Sequence, residues 1–376
     1  MAGASLGPSV VDMHVQERLG RLREALGGDG CGADALLVSS MTNIRYLTGF
    51  TGSAGLLFVL PGETVLVTDG RYGTQAAAQM EAASVAARIE VAQAAKQAEV
   101  AGAVVSASGI GRLALEAAHV SWARQQAFAG DWFEGVTLVS TVGLVEELRK
   151  VKDAGELARL GEAARIADSA LEGVADLLAS GLSEQAFGRA LDFEMRVRGA
   201  SGPSFETIVA SGPNAAMPHH RPGSRVIEPG ETVVLDFGAL YDGYCSDMTR
   251  TVWSGKLAGA EMRRAVSVVL EAQAAGVAAV RAGVACVDVD KACRDVISDA
   301  GWGEQFVHGT GHGVGLDIHE APTLSATSTD TLAAGQVVTV EPGVYLPGLG
   351  GVRVEDTVVV TEDGCRPLTL TPKDAP

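Results

Sequence analysis

The spacing of hydrophobic residues divides the chain into a part of alternating short strands and helices and a part built on longer helices. Over the first ~140 residues, short aliphatic runs alternate with stretches whose apolar residues recur at helical spacing. The predicted helices cover residues 15–26, 71–82 and 94–106 and begin again near Ser121, and the predicted strands cover residues 35–39, 56–60, 64–68, 113–116 and 136–140. This alternation predicts a self-contained α/β layer domain, which we assign to residues 1–146.

Beyond this domain the pattern changes to long helices followed by strands that end in polar residues. Asp153 is expected to cap a long helix, because Glu156 lies three residues later and completes a capping box. Ser183 is expected to cap the next helix, which Gly199 ends. The later predicted elements are a strand at 232–237 and helices at 260–281 and 288–300. Residues 147–376 are therefore predicted to form a second, α+β domain.

One sequence pattern occurs twice in this second domain. The segment 230–236 has a glycine, a β-branched run and then Asp236, and the segment 335–341 has the same order and ends in Glu341. The two carboxylates are 105 residues apart (341 minus 236), and two predicted helices precede each copy. We interpret this as an internal duplication that brings both acids to a shared centre. The alternative is chance, because a glycine followed by a valine-rich strand is a common pattern.

The composition is that of a folded globular protein with a large excess of negative charge. Hydrophobic residues make up 47% and charged residues 20% of the 376 residues, and the formal net charge is −17. Nucleic acids and anionic membrane surfaces select basic faces, so we expect neither as a partner. The five cysteines are odd in number and lack CxxC pairing, which indicates free thiols in a reducing compartment.

The sequence also bears on where the protein resides. No stretch approaches the ~20 consecutive apolar residues of a membrane-spanning helix. The N-terminus lacks the basic segment and apolar core of a signal peptide. Together with the free thiols, these features lead us to expect a cytoplasmic protein.

Two pairs of carboxylates flank predicted hairpin turns. Asp236 and Asp247 lie on either side of a turn at 241–244, so we expect two antiparallel strands that carry them side by side. Glu341 and Glu355 lie on either side of a second, glycine-rich turn. A buried carboxylate is costly unless a partner or a metal compensates it, and carboxylates close together repel one another. Either the acids face solvent or cations hold them together, and their place at the ends of valine-rich strands argues against a solvated surface.

His312 adds an imidazole to this set, between two glycines that allow close approach of the backbone. Oxygen-rich sites with one imidazole suit Mn²⁺, Co²⁺, Fe²⁺ or Zn²⁺, whereas thiolate sites select softer metals. Four carboxylates carry enough negative charge for two divalent ions. Two such ions can lower the pKa of a shared water and polarise a carbonyl group. The residues therefore predict metal-assisted hydrolysis.

The five residues occur in an order that resembles the metal-ligand set of the M24, or pita-bread, metallopeptidases: Asp236, Asp247, His312, Glu341 and Glu355. That family includes methionine aminopeptidase, prolidase and aminopeptidase P. The flanking Asp-Phe-Gly, Gly-His-Gly, Glu-Pro-Gly and Arg-x-Glu-Asp motifs are similar too, and residues 43–49 and 152–160 resemble the two-domain members. The resemblance implies a creatinase/prolidase-like α/β N-terminal domain and a C-terminal α+β pita-bread domain with an internal pseudo-twofold duplication.

The resemblance also implies how these residues share two divalent metal ions. Asp236 would bind one ion, and His312 and Glu341 would hold the other. Asp247 and Glu355 would bridge both ions. Mn²⁺ is the expected metal, with Co²⁺, Zn²⁺ and Fe²⁺ as alternatives.

Further residues match the family by position, and Glu341 would have a second role as proton carrier. His219 matches a histidine that contacts substrate near the scissile bond, and His308 matches one that lines the pocket for proline. His319 matches a histidine that stabilises the tetrahedral intermediate or moves a proton, and Arg353 matches an arginine beside the bridging glutamate. The resemblance thus implies catalytic roles for His219, His319 and Glu341 and substrate-binding roles for His308 and Arg353.

The implied activity is that of an Xaa-Pro aminopeptidase, which hydrolyses the bond between an N-terminal residue and proline in short peptides. Prolidase, which cleaves Xaa-Pro dipeptides, is the alternative within the family. Several prolidases carry an arginine shortly after the residue that matches His319, where this chain has Thr323, which favours the aminopeptidase. Methionine aminopeptidase stands without a comparable N-terminal domain, and creatinase lacks the metal ligands.

An alternative of another class is a metal-free pita-bread module that only binds partners. Relatives of that kind lose the ligands, so the intact set in this chain argues against it. The resemblance further implies a homodimer in which the N-terminal domain limits the length of the substrate.

Overall fold

The computed structural model describes residues 11–27 and 31–373, which form two compact units. One unit runs from Asp12 to Arg149, and the other contains Val11 and the chain from Lys150 onward. The predicted boundary after residue 146 lies inside the helix Leu144–Lys150. Residues 1–10, at the start of the first predicted domain, and residues 374–376, at the end of the second, lie outside the described residues. The expectation about a signal peptide concerns the first of these two segments. Within the described ranges, no helix is both long and apolar enough to cross a bilayer.

The N-terminal unit is built on one six-stranded sheet with the order β4-β3-β2-β1-β5-β6. Its strands are β1 (Ala35–Val38), β2 (Leu56–Val59), β3 (Thr64–Thr68), β4 (Arg88–Val91), β5 (Arg112–Glu116) and β6 (Thr137–Thr141). Its helices are α1 (Val15–Gly27), α2 (Met41–Thr48), α3 (Gly73–Ala82), α4 (Gln97–Ser108), α5 (Trp122–Ala127) and α6 (Leu144–Lys150). β2 and β3 form the predicted hairpin, and β1, β5 and β6 run parallel.

The central strands of this sheet are hydrophobic throughout because both faces of the sheet are covered. Every residue of β1, β2 and β3 is buried, as expected for strands without a solvent face. Leu37, Phe58 and Phe128 belong to one hydrophobic core of this unit. The continuous aliphatic runs in the sequence were therefore a reliable signal for these strands.

We predicted neither α2 nor β4 from the sequence. α2 is short, and its local signals are Ser40, whose side chain accepts from the Asn43 backbone N–H, and Gly49, which ends the helix at φ 74°. β4 is a four-residue edge strand with no buried residue, paired parallel to β3. Both elements depend on neighbours distant in sequence more than on their own hydrophobic pattern.

The C-terminal unit consists of helices packed on small sheets. Its helices are α7 (Ala154–Val174), α8 (Glu184–Val197), α9 (Ala260–Ala279) and α10 (Cys286–Asp299). Its first strands are β7 (Gly202–Pro203), β8 (Ile208–Ser211), β9 (Val233–Phe237), β10 (Ala239–Tyr241), β11 (Tyr244–Cys245) and β12 (Met248–Val252). Its later strands are β13 (Gly311–Gly313), β14 (Glu320–Leu324), β15 (Val337–Val340), β16 (Gly343–Leu346), β17 (Gly350–Arg353), β18 (Asp356–Val360) and β19 (Cys365–Pro367).

The same order of elements occurs twice in this unit. α7 and α8 precede β8, β9 and β12, which form a sheet with β9 in the centre. α9 and α10 precede β13, β15 and β18, which are neighbours in a second sheet with β15 between the other two. In both halves the central strand pairs antiparallel with both neighbours. The duplication inferred from the repeated sequence pattern is therefore confirmed at the level of topology.

α7 begins with the predicted capping box. The Asp153 side chain accepts from the Glu156 backbone N–H at 2.8 Å, and the Glu156 side chain accepts from the Asp153 backbone N–H at 3.1 Å. Glu156 also accepts a hydrogen bond from the Tyr244 hydroxyl at 3.0 Å. The first turn of α7 is thus tied to β11.

Replacing Asp153 by alanine is expected to destabilise the C-terminal unit by about 1 kcal/mol, because the N-cap acceptor is lost. Thermal unfolding followed by circular dichroism measures the effect as a lower Tm. Asp153→Asn is the matched control, since asparagine keeps a capping oxygen and should lose much less. Equal losses in the two variants would mean that charge, and not the cap, is what matters at this position.

Candidate metal centre

The acidic set lies on equivalent positions of the two halves. Asp236 is on the central strand β9, and Glu341 directly follows the central strand β15. Asp247 and Glu355 directly precede the flanking strands β12 and β18. His312 is the middle residue of β13. Each half therefore supplies two carboxylates, and the second half adds the imidazole.

The two pairs of acids differ in their strand register. Asp236 pairs with Thr249 across β9 and β12, so Asp247 lies diagonally and not side by side as we predicted. In the second half Val340 pairs with Asp356, and the same register continued by one residue sets Glu341 opposite Glu355. The two-residue turn at Asp242-Gly243 pairs Tyr241 with Tyr244, and the same register continues through β9 and β12, so Asp236 lies opposite Thr249, two residues from Asp247.

The polar atoms of the set converge on His312. Its Nε2 lies 3.5 Å from Asp247 Oδ2 and 3.4 Å from Glu341 Oε1. One ligand atom each from Asp247, His312 and Glu355 lies within 4.8 Å of the others. These separations are those of groups that share one cation, since each atom can reach a point between them.

The tautomer of His312 directs a lone pair at the acids. Its Nδ1 lies 3.0 Å from the Gly313 carbonyl oxygen, and a carbonyl only accepts, so Nδ1 carries the proton. Burial lowers the pKa of His312 below its ordinary value, and the ring is therefore neutral near pH 7. Nε2 therefore carries no proton, and its lone pair can bind a metal ion, as a metal-binding histidine requires.

Burial and mutual repulsion perturb the carboxylates strongly. Burial raises the pKa of Asp247 well above its ordinary value, and the charges of Glu355, Asp236 and Glu341 raise it further. The pKa of Glu355 is also raised well above its ordinary value, by burial and by the charges of Glu341 and Asp236. Burial raises the pKa of Glu341 to about 7. Ionised together at neutral pH, these groups need positive charge between them.

The donor set fits a divalent metal on two counts. Four carboxylates and one neutral imidazole are ligands that Mn²⁺, Co²⁺, Fe²⁺ and Zn²⁺ accept. In addition, Glu355 Oε1 is buried and has no hydrogen-bond partner among the described residues, whereas Oε2 accepts from the Thr249 hydroxyl at 2.7 Å. A buried carboxylate oxygen without a donor is costly, and a cation would compensate it.

A second group of similar composition, formed by described residues of the N-terminal unit, has no buried carboxylate oxygen that lacks a hydrogen-bond partner. Glu116, His119 and Glu146 also bring their ligand atoms within 4.8 Å. Glu116 already accepts from the backbone N–H groups of Ser39 and Ser40 at 2.6 and 2.9 Å. Glu146 lies 2.8 Å from His119 Nε2 and accepts from the amide of Asn43. Hydrogen bonds satisfy this group without a metal.

Arg353 links the acidic set to the rest of the pocket. This buried side chain donates to Asp236 Oδ2 at 2.6 Å, to the Tyr345 hydroxyl at 2.8 Å and to Thr249 Oγ1 at 3.1 Å. Tyr345 in turn lies 2.8 Å from His308 Nε2. His308 Nδ1 lies 2.8 Å from the Gly309 carbonyl oxygen and must donate, so Nε2 accepts the tyrosine proton.

Small residues let the backbone of β13 approach the centre. A Cβ at Gly311 would lie 2.0 Å from the Thr339 carbonyl oxygen, a distance that real side chains do not adopt. The Thr339 hydroxyl accepts from the His312 backbone N–H at 3.1 Å and donates to Glu341 at 3.2 Å. Glycine is therefore required beside His312 for His312 and Glu341 to share this threonine.

All the predicted site residues line one cavity of about 390 Å³. They are Asp236, Asp247, His312, Glu341, Glu355, His219, His308, His319 and Arg353. The rings of His312 and His319 lie 4.4 Å apart at 74°, whereas His219 reaches the cavity from a loop after β8. Phe205, Ile208 and Ile318 supply an apolar part of the wall.

Sequence reasoning missed three residues that hold this set in place. They are Tyr345, Thr249 and Thr339, which contact Arg353, Glu355 and Glu341 respectively. Thr339 lies within the valine-rich strand β15, where a hydroxyl among apolar residues is a detectable but weak signal, whereas β12 around Thr249 mixes polar and apolar residues. Tyr345 follows the Glu-Pro-Gly motif closely, yet nothing in its spacing indicates a bond to Arg353.

Comparison with known proteins covers both units. Residues 158–362 match the profile of metallopeptidase family M24, and residues 18–151 match that of the creatinase/prolidase N-terminal domain. A protein described as an uncharacterized peptidase of Bacillus subtilis is 40% identical over 357 residues, which cover 95% of this chain and 99% of that protein.

Solved structures agree with this match. An Xaa-Pro dipeptidase from Bacillus anthracis superposes with a TM-score of 0.91 at 40% identity and covers 96% of this chain and 99% of that one. An X-Pro aminopeptidase from Thermotoga maritima gives a TM-score of 0.85 at 34% identity, with 92% and 97% covered.

These matches confirm the pita-bread fold of the C-terminal unit and the creatinase/prolidase type of the N-terminal unit. They also identify the chain as an enzyme, a hydrolase of peptide bonds, rather than a binding module. The two repeated halves, the acidic set between them and the similarity along almost the whole sequence agree on one assignment: the chain belongs to metallopeptidase family M24.

Proposed function

We propose that this protein is a cytoplasmic Xaa-Pro aminopeptidase, which removes the N-terminal residue from short peptides with proline at the second position. The observation that carries the proposal is the cavity itself, in which four carboxylates and one neutral imidazole face a partly apolar wall. The relatives described as an X-Pro aminopeptidase and an Xaa-Pro dipeptidase support the proline specificity.

We propose that the acidic set holds two divalent ions, with Mn²⁺ as the expected metal and Co²⁺, Zn²⁺ and Fe²⁺ as alternatives. Asp236 would hold one ion, and His312 and Glu341 would hold the other. Asp247 and Glu355 would be shared between them. Bound metal of this kind activates water and polarises a carbonyl oxygen.

The remaining groups act on the substrate. Glu341 accepts a proton from the attacking water and passes it to the proline nitrogen, a general acid-base role. Burial lowers the pKa of His319, so this ring is neutral and donates one N–H to the carbonyl oxygen where negative charge develops. His219 contacts the substrate near the scissile bond.

His308 and Arg353 shape the pocket through their fixed orientation. Both nitrogens of His308 are engaged by protein atoms, and burial lowers its pKa to about 4. His308 therefore offers the substrate an uncharged ring surface, which suits the apolar ring of proline. Arg353 acts on the substrate indirectly, because it is committed to Asp236 and Tyr345.

The charge of the cavity favours an aminopeptidase over a dipeptidase. A dipeptide places its C-terminal carboxylate close to the scissile bond, where a cation would be needed to bind it. Among the described residues that line the cavity, Arg353 is the one arginine or lysine, and its donors point at protein acceptors. Thr323 occupies the position where several prolidases have arginine. The Bacillus anthracis relative, described as an Xaa-Pro dipeptidase, is the observation that favours the dipeptidase as second candidate.

The N-terminal domain that we assign to residues 1–146 from the sequence completes the proposal. The family resemblance assigns such a domain a role in homodimerisation and in limiting substrate length. We propose both roles for this chain. Size-exclusion chromatography with light scattering tests the dimer directly.

The substrate preference is tested with chelator-treated protein to which Mn²⁺ has been restored. We expect a free-amine tripeptide Xaa-Pro-Xaa to be cleaved with a kcat/KM at least about tenfold above that of the Xaa-Pro dipeptide, because the dipeptide carboxylate lacks a cationic partner. An N-acetylated tripeptide is the control for exopeptidase action. Preference for the dipeptide would make the protein a prolidase, and cleavage of neither peptide would refute the proline specificity.

Metal binding is expected to stabilise the protein more at about pH 8 than at about pH 6. Burial raises the pKa of Glu341 from 4.5 to about 7, with Asp236 adding to the shift and Arg353 opposing it. Without metal, the stability from this group is fully present below its unfolded pKa and is lost as pH rises through about 7. Bound cations relieve the repulsion between carboxylates only at pH values at which the carboxylates are ionised, so their stabilising effect is larger at the higher pH.

Differential scanning fluorimetry with and without Mn²⁺ measures this difference as the metal-induced rise in Tm at each pH. Glu341→Gln is the informative variant, since it cannot ionise and should flatten the pH dependence. A rise in Tm that is the same at both pH values in the wild-type protein would contradict ionised carboxylates as the metal-binding groups.

Replacing Glu355 by glutamine is expected to weaken metal binding by more than about 100-fold, because loss of an outer partner alone typically costs 10- to 100-fold. Competition with a fluorescent chelator measures the affinity. Glu362→Gln is the matched control, because this glutamate is exposed just beyond β18. Unchanged affinity in Glu355→Gln would remove Glu355 from the ligand set.

A further inference from the structure

One buried carboxylate outside the metal centre receives an unusual number of hydrogen bonds. Glu184, the first residue of α8, is completely buried. Its Oε1 accepts from the Ser211 backbone N–H at 2.8 Å, the Ser211 hydroxyl at 2.7 Å and the Asn214 amide at 2.9 Å. Its Oε2 lies 2.8 Å from His220 Nε2 and accepts from the Gly223 backbone N–H at 3.2 Å.

All five donors belong to one segment, residues 211–223, which we call the His219 loop. The loop contains the short 3-10 helix Gly212–Ala216 and then Pro218 and His219, which line the cavity. From residue 217 to residue 223 the chain has neither helix nor strand. Its conformation therefore depends on side-chain hydrogen bonds, and Glu184 receives most of those that the loop donates.

The backbone of α8 reinforces this contact. The N–H groups of Glu184 and Gln185 donate to the carbonyl oxygens of Arg225 and Gly223 at 2.9 and 3.0 Å. The positive end of the helix dipole also favours a carboxylate at this position. The start of α8 is thus bound to both ends of the His219 loop.

The opposite side of the loop contacts the metal centre. A Cβ at Gly351 would lie 2.0 Å from the Ala215 carbonyl oxygen, so β17 and the loop are in direct backbone contact. Arg353, two residues further along β17, donates to the Pro218 carbonyl oxygen at 3.3 Å. The loop is therefore held between Glu184 on one side and the strand that carries Arg353 on the other.

We propose that Glu184 is a positioning residue that fixes His219 over the cavity by accepting hydrogen bonds across the whole loop. The proposal rests on the proposed peptidase function for the catalytic meaning of His219. A carboxylate is acceptor-only, which matches five donors, whereas a glutamine amide would set its own N–H groups against two or three of them. The charge, and not only the shape, of this side chain is required.

A double-mutant cycle with His219 tests the proposal on the Mn²⁺-loaded protein. Glu184→Gln is expected to lower kcat/KM for the Xaa-Pro-Xaa tripeptide by about 10- to 100-fold, as displacement of a catalytic group by about 1 Å does. In the His219→Ala background, the same change should have less than about a twofold effect, because no group is left to position. Fully multiplicative effects would overturn the proposal and leave Glu184 a general structural residue.

The matched control is Glu194→Gln on the same helix, whose half-buried carboxylate pairs with Arg198 of that helix. It should leave kcat/KM unchanged. Asn214→Ala removes one of the five hydrogen bonds, and it replaces Glu184→Gln in the double-mutant cycle if that variant does not fold. Its smaller loss should likewise vanish in the His219→Ala background, and persistence of that loss would count against the proposal.

Hydrogen exchange measured by mass spectrometry tests how firmly the His219 loop is held, independently of activity. Residues 211–223 should exchange faster in Glu184→Gln than in Glu194→Gln, with metal content unchanged. Unaltered exchange in the loop would refute the positioning role. Inactivity of the wild-type protein towards both proline peptides would instead refute the proposed function, and the exchange experiment would still decide whether Glu184 holds the loop.

Discussion

Repulsion among buried carboxylates is the constraint on which the C-terminal unit depends. Burial raises the pKa values of Asp247, Glu341 and Glu355, and the charge of Asp236 raises all three further. Such a cluster is unfavourable in isolation, and cations convert it into a binding site. The rest of the unit can be understood as a frame that holds these groups together against their repulsion.

The duplicated topology supplies that frame, and hydrogen bonds cross from each half to the acids of the other. Thr249 of the first half donates to Glu355 of the second, and Arg353 of the second half donates to Asp236 of the first. Arg353 also donates to Thr249, so the two contacts share one network. A disturbance in either half is therefore transmitted to ligands on both sides of the centre.

The histidines show how environment separates chemically identical side chains. His308 has both nitrogens engaged, and His312 has one engaged and one directed at the acids. His319 and His219 remain exposed in the cavity wall. Only the last two can form new hydrogen bonds to a peptide without breaking existing ones. The loop that carries His219 depends in turn on Glu184, a residue with no contact to the cavity.

The sequence alone determined most of the secondary structure, the internal duplication and the composition of the metal centre, because each has a local signature. Buried strands are continuous aliphatic runs, the cap of α7 lies within four residues, and the repeated glycine-to-carboxylate pattern lies in two short segments. Tertiary structure decided what depends on distant partners: the edge strand β4 and the roles of Tyr345 and Glu184. Glu184 looks like an ordinary first-turn acid in the sequence, since its five donors lie 27 to 39 residues away and only folding brings them to it.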